Sequence, residues 1–124
     1  PPAELRETMF DVQQVRLDRV FPSAVQFPSR DSKPTCTTLL AAVIEVGVRR
    51  CAPVPDRHGN MDPVALTNAT LTAVRDASAM VTAIQCCEAI TKRPHVLGNY
   101  LPEPAGGDCL GGTWPVTVQL VRRA

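Results

Sequence analysis

The sequence predicts an α+β domain in which a mainly antiparallel sheet packs against one long helix. Two observations carry that expectation. Residues 37–51, TTLLAAVIEVGVRRC, alternate with the period of a strand: Leu40, Ala42, Ile44, Val46 and Val48 share one face, and Leu39, Ala41, Val43 and Glu45 the other. Residues 63–90 instead repeat at intervals of three and four, which puts Leu66, Thr70, Ala73, Ala77, Met80, Ile84 and Cys87 on one stripe of a helix. The 124 residues have room for one domain, residues 1–124.

A first strand is expected near residues 11–20, where Val15 and Leu17 alternate with Arg16 and Asp18. The stretch 22–35 has loop composition, with Pro22, Pro28 and Pro34 among serines, and its length marks it as a functional or mobile segment. The strand at 37–51 is apolar on both faces over its first half, so it belongs in the middle of the sheet. Gly47 is the expected site of a bulge in it. Asp62-Pro63 reads as an N-cap followed by proline in the first helical position. At about 1.5 Å per residue the helix is roughly 40 Å long, comparable to the long strand it covers. After Thr91, residues 92–113 read as a loop, and TWPVTVQLV supplies a last strand at 114–122.

Composition narrows the function. Thirteen basic and twelve acidic residues give a formal charge of +1, which offers no field to capture a polyanion. Aromatics are 4% of the chain, so the core is aliphatic, and arginine exceeds lysine 11 to 2, as GC-rich coding favours. No apolar run approaches the roughly 20 residues of a membrane span, and PPAELRETMF has no basic segment leading into an apolar one, so no secretory leader is expected there.

Chemistry-bearing patterns are sparse. None of Cys36, Cys51, Cys86, Cys87 and Cys109 forms a C-x-x-C pair, and the adjacent Cys86-Cys87 is a poor chelate, so no metal is expected. In an extended 37–50 strand Cys36 and Cys51 lie too far apart to pair. A helix running back along that strand would return Cys86 and Cys87 towards Cys36, which points to a bridge from Cys86 or Cys87 to Cys36 or Cys109. The alternative is five free thiols. The carboxylates and serines are scattered, the serines lack a G-x-S-x-G context, and GGDCLGG at 106–112 is a weak phosphate cradle, so neither an active site nor a cofactor is expected. His58 beside Gly59 reads as a turn residue, Arg49, Arg50 and Arg57 as a small basic patch or a solvated strand end, and Trp114 as a core anchor or an interface residue. Phe27, Arg30, Arg49, Arg50, Arg57, His58 and Tyr100 are the candidate interface residues.

Set together, PTCTTLLAAVIEVGVRRCAPVPDRHGN at 34–60, the helix with ALTNATLTAVRDASAM and CC, and GGDCLGGTWPVTVQL at 106–120 resemble small virion proteins of tailed phages that infect actinobacteria, RCAPVPDRHGN at 50–60 and the run at 106–114 being the specific parts. The resemblance is to the tail terminator and head-to-tail connector group, and it spans about Asp11 to Leu120. It implies a curved antiparallel sheet against a long helix, and a further helix at or before Glu4–Arg6. It also implies a siphovirus neck protein with no enzymatic activity. Copies of the chain would form a ring, commonly a hexamer, that caps the tail tube and docks the head connector or stopper. Genome DNA would pass through the lumen without specific binding. Such a protein is made in the host cytoplasm and resides in the virion, away from membranes. Deleting residues 24–33 is then expected to leave a folded subunit that cannot join heads to tails. The competing expectations are a head-completion stopper or adaptor of the same neck, and a disulfide-stapled secreted binding module.

Overall fold

The long alternating segment forms the second strand of the sheet and organises the rest. In the computed structural model, which describes residues 12–51, 55–106 and 109–120, β1 (Val12–Pro22) pairs antiparallel with β2 (Leu40–Cys51). On its other side β2 pairs antiparallel with β5 (Cys109–Leu120). The outer side of β5 takes two short strands, β3 (His95–Leu97) and β4 (Leu101–Gly106). Between β2 and β3 run the helix α1 (Pro63–Gln85) and a single turn, α2 (Glu88–Thr91). Among the described residues the class is therefore α+β, with an antiparallel sheet of five strands. The helix expected at Glu4–Arg6 lies outside the described residues.

The two faces of β2 divide as their alternation predicts. Ile44 and Val46 join Ile84, Val116, Val118 and Trp114 under the helix, whereas Ala41 and Val43 pack with Phe21 on the opposite face. That opposite core is closed by the 23–39 segment, whose Phe27, preceding a cis Pro28, packs against it. The segment is tied down by Ser23 N–H to Leu39 O (2.7 Å), Asp31 N–H to Pro22 O (2.9 Å) and Gln119 Nε2 to Ser23 Oγ (3.1 Å). It is therefore not dispensable, because removing residues 24–33 would open the core around Phe21, Ala41 and Val43. The strand begins at Leu40 and not at 37, since Thr35 to Thr38 form a turn closed by Thr38 N–H to Thr35 O and Thr35 N–H to Thr38 Oγ1.

The bulge expected at Gly47 is absent. Both ladders of β2 run through Gly47 without a shift, and the irregularity lies in β1 between Leu17 and Arg19. Glycine is present at 47 for close approach: a Cβ there would stand 2.6 Å from Thr113 Cγ2. The restriction is more severe at Gly111, where an added Cβ would collide with the Val48 carbonyl oxygen and the Arg49 backbone. Backbone atoms cannot swing aside as a side-chain end can. Gly111→Ala is expected to lower stability by about 2 kcal/mol, as overpacking does, with a smaller loss for Gly47→Ala; urea unfolding of the two variants checks the order.

Asp62 caps α1 as read, accepting from Val64 N–H at 3.0 Å ahead of Pro63. Two corrections follow. The expected 63–90 helix breaks at Cys86-Cys87: Cys87 is extended (φ −84, ψ 107), and after the break Ile90 turns onto the core of Ile84, Val116 and Val118. The inward stripe also departs from the expected one in the first half of the helix. Leu66 and Thr70 are exposed, while Ala65, Ala69 and Thr72 face inward and Asp76 and Met80 are buried. Small residues thus face the sheet at this end and larger ones face out. The expected 92–113 loop is instead mostly strand. Pro94 and Pro102 suggested loop, but β3 and β4 lie on the outer side of β5, where a missing N–H is tolerated.

Candidate functional site

Among the described residues, strand β1 lies at one edge of the sheet and pairs on one side only, with β2. The helix packs on β5 and β2, Ile84 meeting Val116, Val118, Ile44 and Val46. Register places Val15 opposite Val46, Leu17 opposite Ile44 and Val20 opposite Ala42, on the helix-covered face. With no helix above them among the described residues, Val15 is 73% and Leu17 60% exposed. Between this edge and the flank of α1 lies an apolar groove of about 390 Å³, lined by Val15, Val46, Val48, Ala79, Met80 and Ala83.

The outward surface of α1 is unusual in the same way. Its 23 residues include only two ionisable side chains, Arg75 and Asp76, and Asp76 faces inward. Val64, Leu66, Leu71 and Val74 are all exposed, Val74 at 62%. A solvated helix face ordinarily carries charges, and exposed apolar surface in quantity marks an interaction site. The edge strand itself is guarded by Arg16, Asp18, Arg19 and the irregularity after Leu17, devices that discourage indiscriminate strand addition.

A second constellation sits under the N-terminal half of α1. Arg50 extends from the helix-facing side of β2 and grips Asp76 with two bonds, Nε to Oδ2 at 2.6 Å and NH2 to Oδ1 at 2.8 Å. Next to them Trp114 donates from Nε1 to the Ala77 carbonyl at 2.9 Å. Tyr100 leans on Trp114, with ring centroids 5.4 Å apart at 56°. A cavity of about 220 Å³ borders Arg50, Asp76 and Tyr100. Both carboxylate oxygens of Asp76 are engaged by one guanidinium. The group pins the helix to the sheet in one register.

Burial raises the Tyr100 phenol above its usual pKa, and the nearby charges of Asp76 and Glu103 add to the effect. The folded state therefore holds this proton more tightly than the unfolded chain. The resulting stability is fully present below the ordinary tyrosine pKa of about 10 and is lost as pH rises through the folded value. Tyr100 is the only tyrosine in the chain. Its tyrosinate absorbance is expected to titrate later in the native protein than in denaturant, and Tyr100→Phe to flatten the alkaline fall in stability.

The sequence-predicted interface residues do not form one surface. Phe27 is half-buried in the core beneath the 23–39 segment, and Arg30 is exposed in a bridge to Ser23. Arg49 and Arg50, adjacent in β2, reach different partners, Glu103 (3.0 Å) and Asp76, so they do not build a basic patch with Arg57. Arg57 and His58 are exposed in the turn before α1, where Asp56 Oδ1 accepts from the His58 and Asn60 N–H groups. Tyr100 belongs to the clamp, and Trp114 is a core anchor. Cys36, Cys86 and Cys87 are free thiols, so none of the bridges expected among them is formed. The side chain of Cys109 lies outside the described residues.

Asp76 was missed as a site residue, yet the signal was present: a carboxylate four residues before Met80 on an otherwise apolar stripe requires an internal cation. The β1 edge carried no comparable signal, because exposure of Val15 and Leu17 depends on where the helix ends up. Among the described residues, no three His, Cys, Asp or Glu side chains gather as a metal site, and no helix is long and apolar enough to cross a membrane. Compared with protein-family models, curated proteins and solved structures, the chain matches none.

Proposed function

We propose that this chain is a structural protein of a phage virion, a tail terminator whose copies close into a ring that caps the tail tube and joins it to the head connector. The observation that carries the reading is the pair of uncovered apolar surfaces, the β1 edge with its groove and the charge-poor outer side of α1. They are different surfaces of one chain. Contact between one surface on a subunit and the other on its neighbour is heterologous, and such contacts repeated around an axis close into rings. The resemblance of the 50–60 and 106–114 segments to neck proteins supplies the setting, and near-neutral charge suits a lumen that passes DNA without gripping it. The protein works through these surfaces and not by chemistry, with itself, the tube protein and the connector as partners.

The test is the mass of the purified protein in solution, alone and mixed with tail tubes, followed by imaging. A closed ring, or a ring found only at the head-proximal end of the tube, supports the terminator. Binding to the head connector with indifference to tubes would move the assignment to a stopper. A monomer indifferent to both would overturn the reading.

A further inference from the structure

The ladder between β2 and β5 brings two cysteines to one register position. Cys51, the last residue of β2, lies opposite Cys109, the first of β5, with no register shift along all twelve pairs. The hydrogen bonds of β5 show which type of pair this is. Pro115 O accepts from Gly98 N–H, and Gln119 N–H donates to Pro94 O, so residues 115 and 119 direct their backbone polar groups away from β2. In a regular strand that direction alternates. Residue 109, six before 115, therefore shares it, and the pairing of 51 with 109 is of the non-hydrogen-bonded kind. Such pairs hold their Cα atoms about 4.5 Å apart, at the short end of the range of about 4.4–6.8 Å that a disulfide spans. The other thiols have no comparable placement: Cys36 sits in the turn before β2, and Cys86 and Cys87 are adjacent at the end of α1.

We propose that Cys51 and Cys109 are joined by a cross-strand disulfide when the protein meets an oxidising environment. Cys51 is exposed, so a small disulfide such as oxidised glutathione can reach it. One cysteine thiolate attacks a glutathione sulfur and releases one reduced glutathione. The other thiolate then attacks the mixed disulfide and releases the second. Two protein thiols lose two electrons and two protons, and one glutathione disulfide is reduced to two thiols. In a reducing cytoplasm the pair stays open. Once closed, the bridge encloses residues 52–108, which include α1, α2, β3 and β4, and a loop of that length is the kind whose closure most restricts the unfolded chain. The bridge concerns a single subunit, so its fate does not bear on ring formation.

The experiment is a non-reducing tryptic map of the full chain after incubation with excess oxidised glutathione, with a reduced control. Trypsin places Cys51 on peptide 51–57 and Cys109 on peptide 93–122, apart from Cys36 on 31–49 and Cys86 and Cys87 on 76–92. The expected result is a linked 51–57/93–122 species that disappears on reduction. It should be accompanied by a rise in Tm of roughly 10 °C, lost in Cys51→Ser and retained in Cys36→Ser. A bridge through Cys36, Cys86 or Cys87, or a Cys51 and Cys109 that stay fully alkylatable, would overturn the proposal. The wild-type map decides by itself if a variant does not fold.

Discussion

Asp76→Ala is expected to lower the unfolding free energy by about 3 kcal/mol, and Tm by about 10 °C. The Asp76 side chain is 6% exposed and that of Arg50 20%. Removing the carboxylate takes away two charge-assisted hydrogen bonds, at 2.6 and 2.8 Å, from a part-buried position under α1. The surface pair Arg49–Glu103 provides the internal control, because both of its side chains remain substantially wet. Glu103→Ala is expected to cost less than about 1 kcal/mol. Replacing both partners, Arg50→Met with Asp76→Leu, should recover most of the loss, because apolar groups of similar volume owe no desolvation cost. Urea unfolding of the three variants reads all of this, and equal losses for Asp76→Ala and Glu103→Ala would show that the clamp carries no special weight.

Leu17→Asp is expected to abolish self-association while leaving the subunit as stable as before, within about 0.5 kcal/mol. Leu17 is mostly exposed, so the substitution empties no core, yet it puts a charge where a neighbour would bury an apolar side chain. Val74→Asp makes the same test on the other surface, the outer face of α1. If contact is heterologous, each variant retains one intact surface, and a mixture of the two can still join in pairs through the unmodified surfaces but cannot close a ring. Sedimentation of each variant and of the mixture distinguishes this from a symmetric contact, in which one of the two substitutions would have no effect. Rings that persist in both variants would remove the β1 edge and the α1 face from the assembly.

Much of the architecture was legible because it is written in local periodicity. The alternation of 40–48 names both faces of β2, and the structure fills each with the residues so assigned. Asp62 and Pro63 start α1 where a cap and a proline must. What misled was equally local. Prolines and glycines in 92–113 suggested a loop, because nothing in the sequence tells that these residues lie along the outer side of β5. Residue type continues the helix through Cys86-Cys87, since neither cysteine is a breaker, and the break accompanies the turn of Ile90 onto the core. The candidate interface residues stand out by chemical character, and the fold uses several of them internally: Phe27 closes a core, Arg50 holds the helix and Tyr100 supports Trp114.

The sequence by itself determined the class, the central strand and the start of the helix, since each depends on residue type and spacing along the chain. Only the tertiary structure decided which arginine is internal, which apolar residues are left uncovered and which cysteines share a register position. Those depend on where α1 comes to rest and how β5 aligns with β2. Both are set by contacts between residues far apart in the chain, Arg50 with Asp76, Trp114 with Ala77 and Ile84 with Val116, and local pattern does not encode pairings at that range.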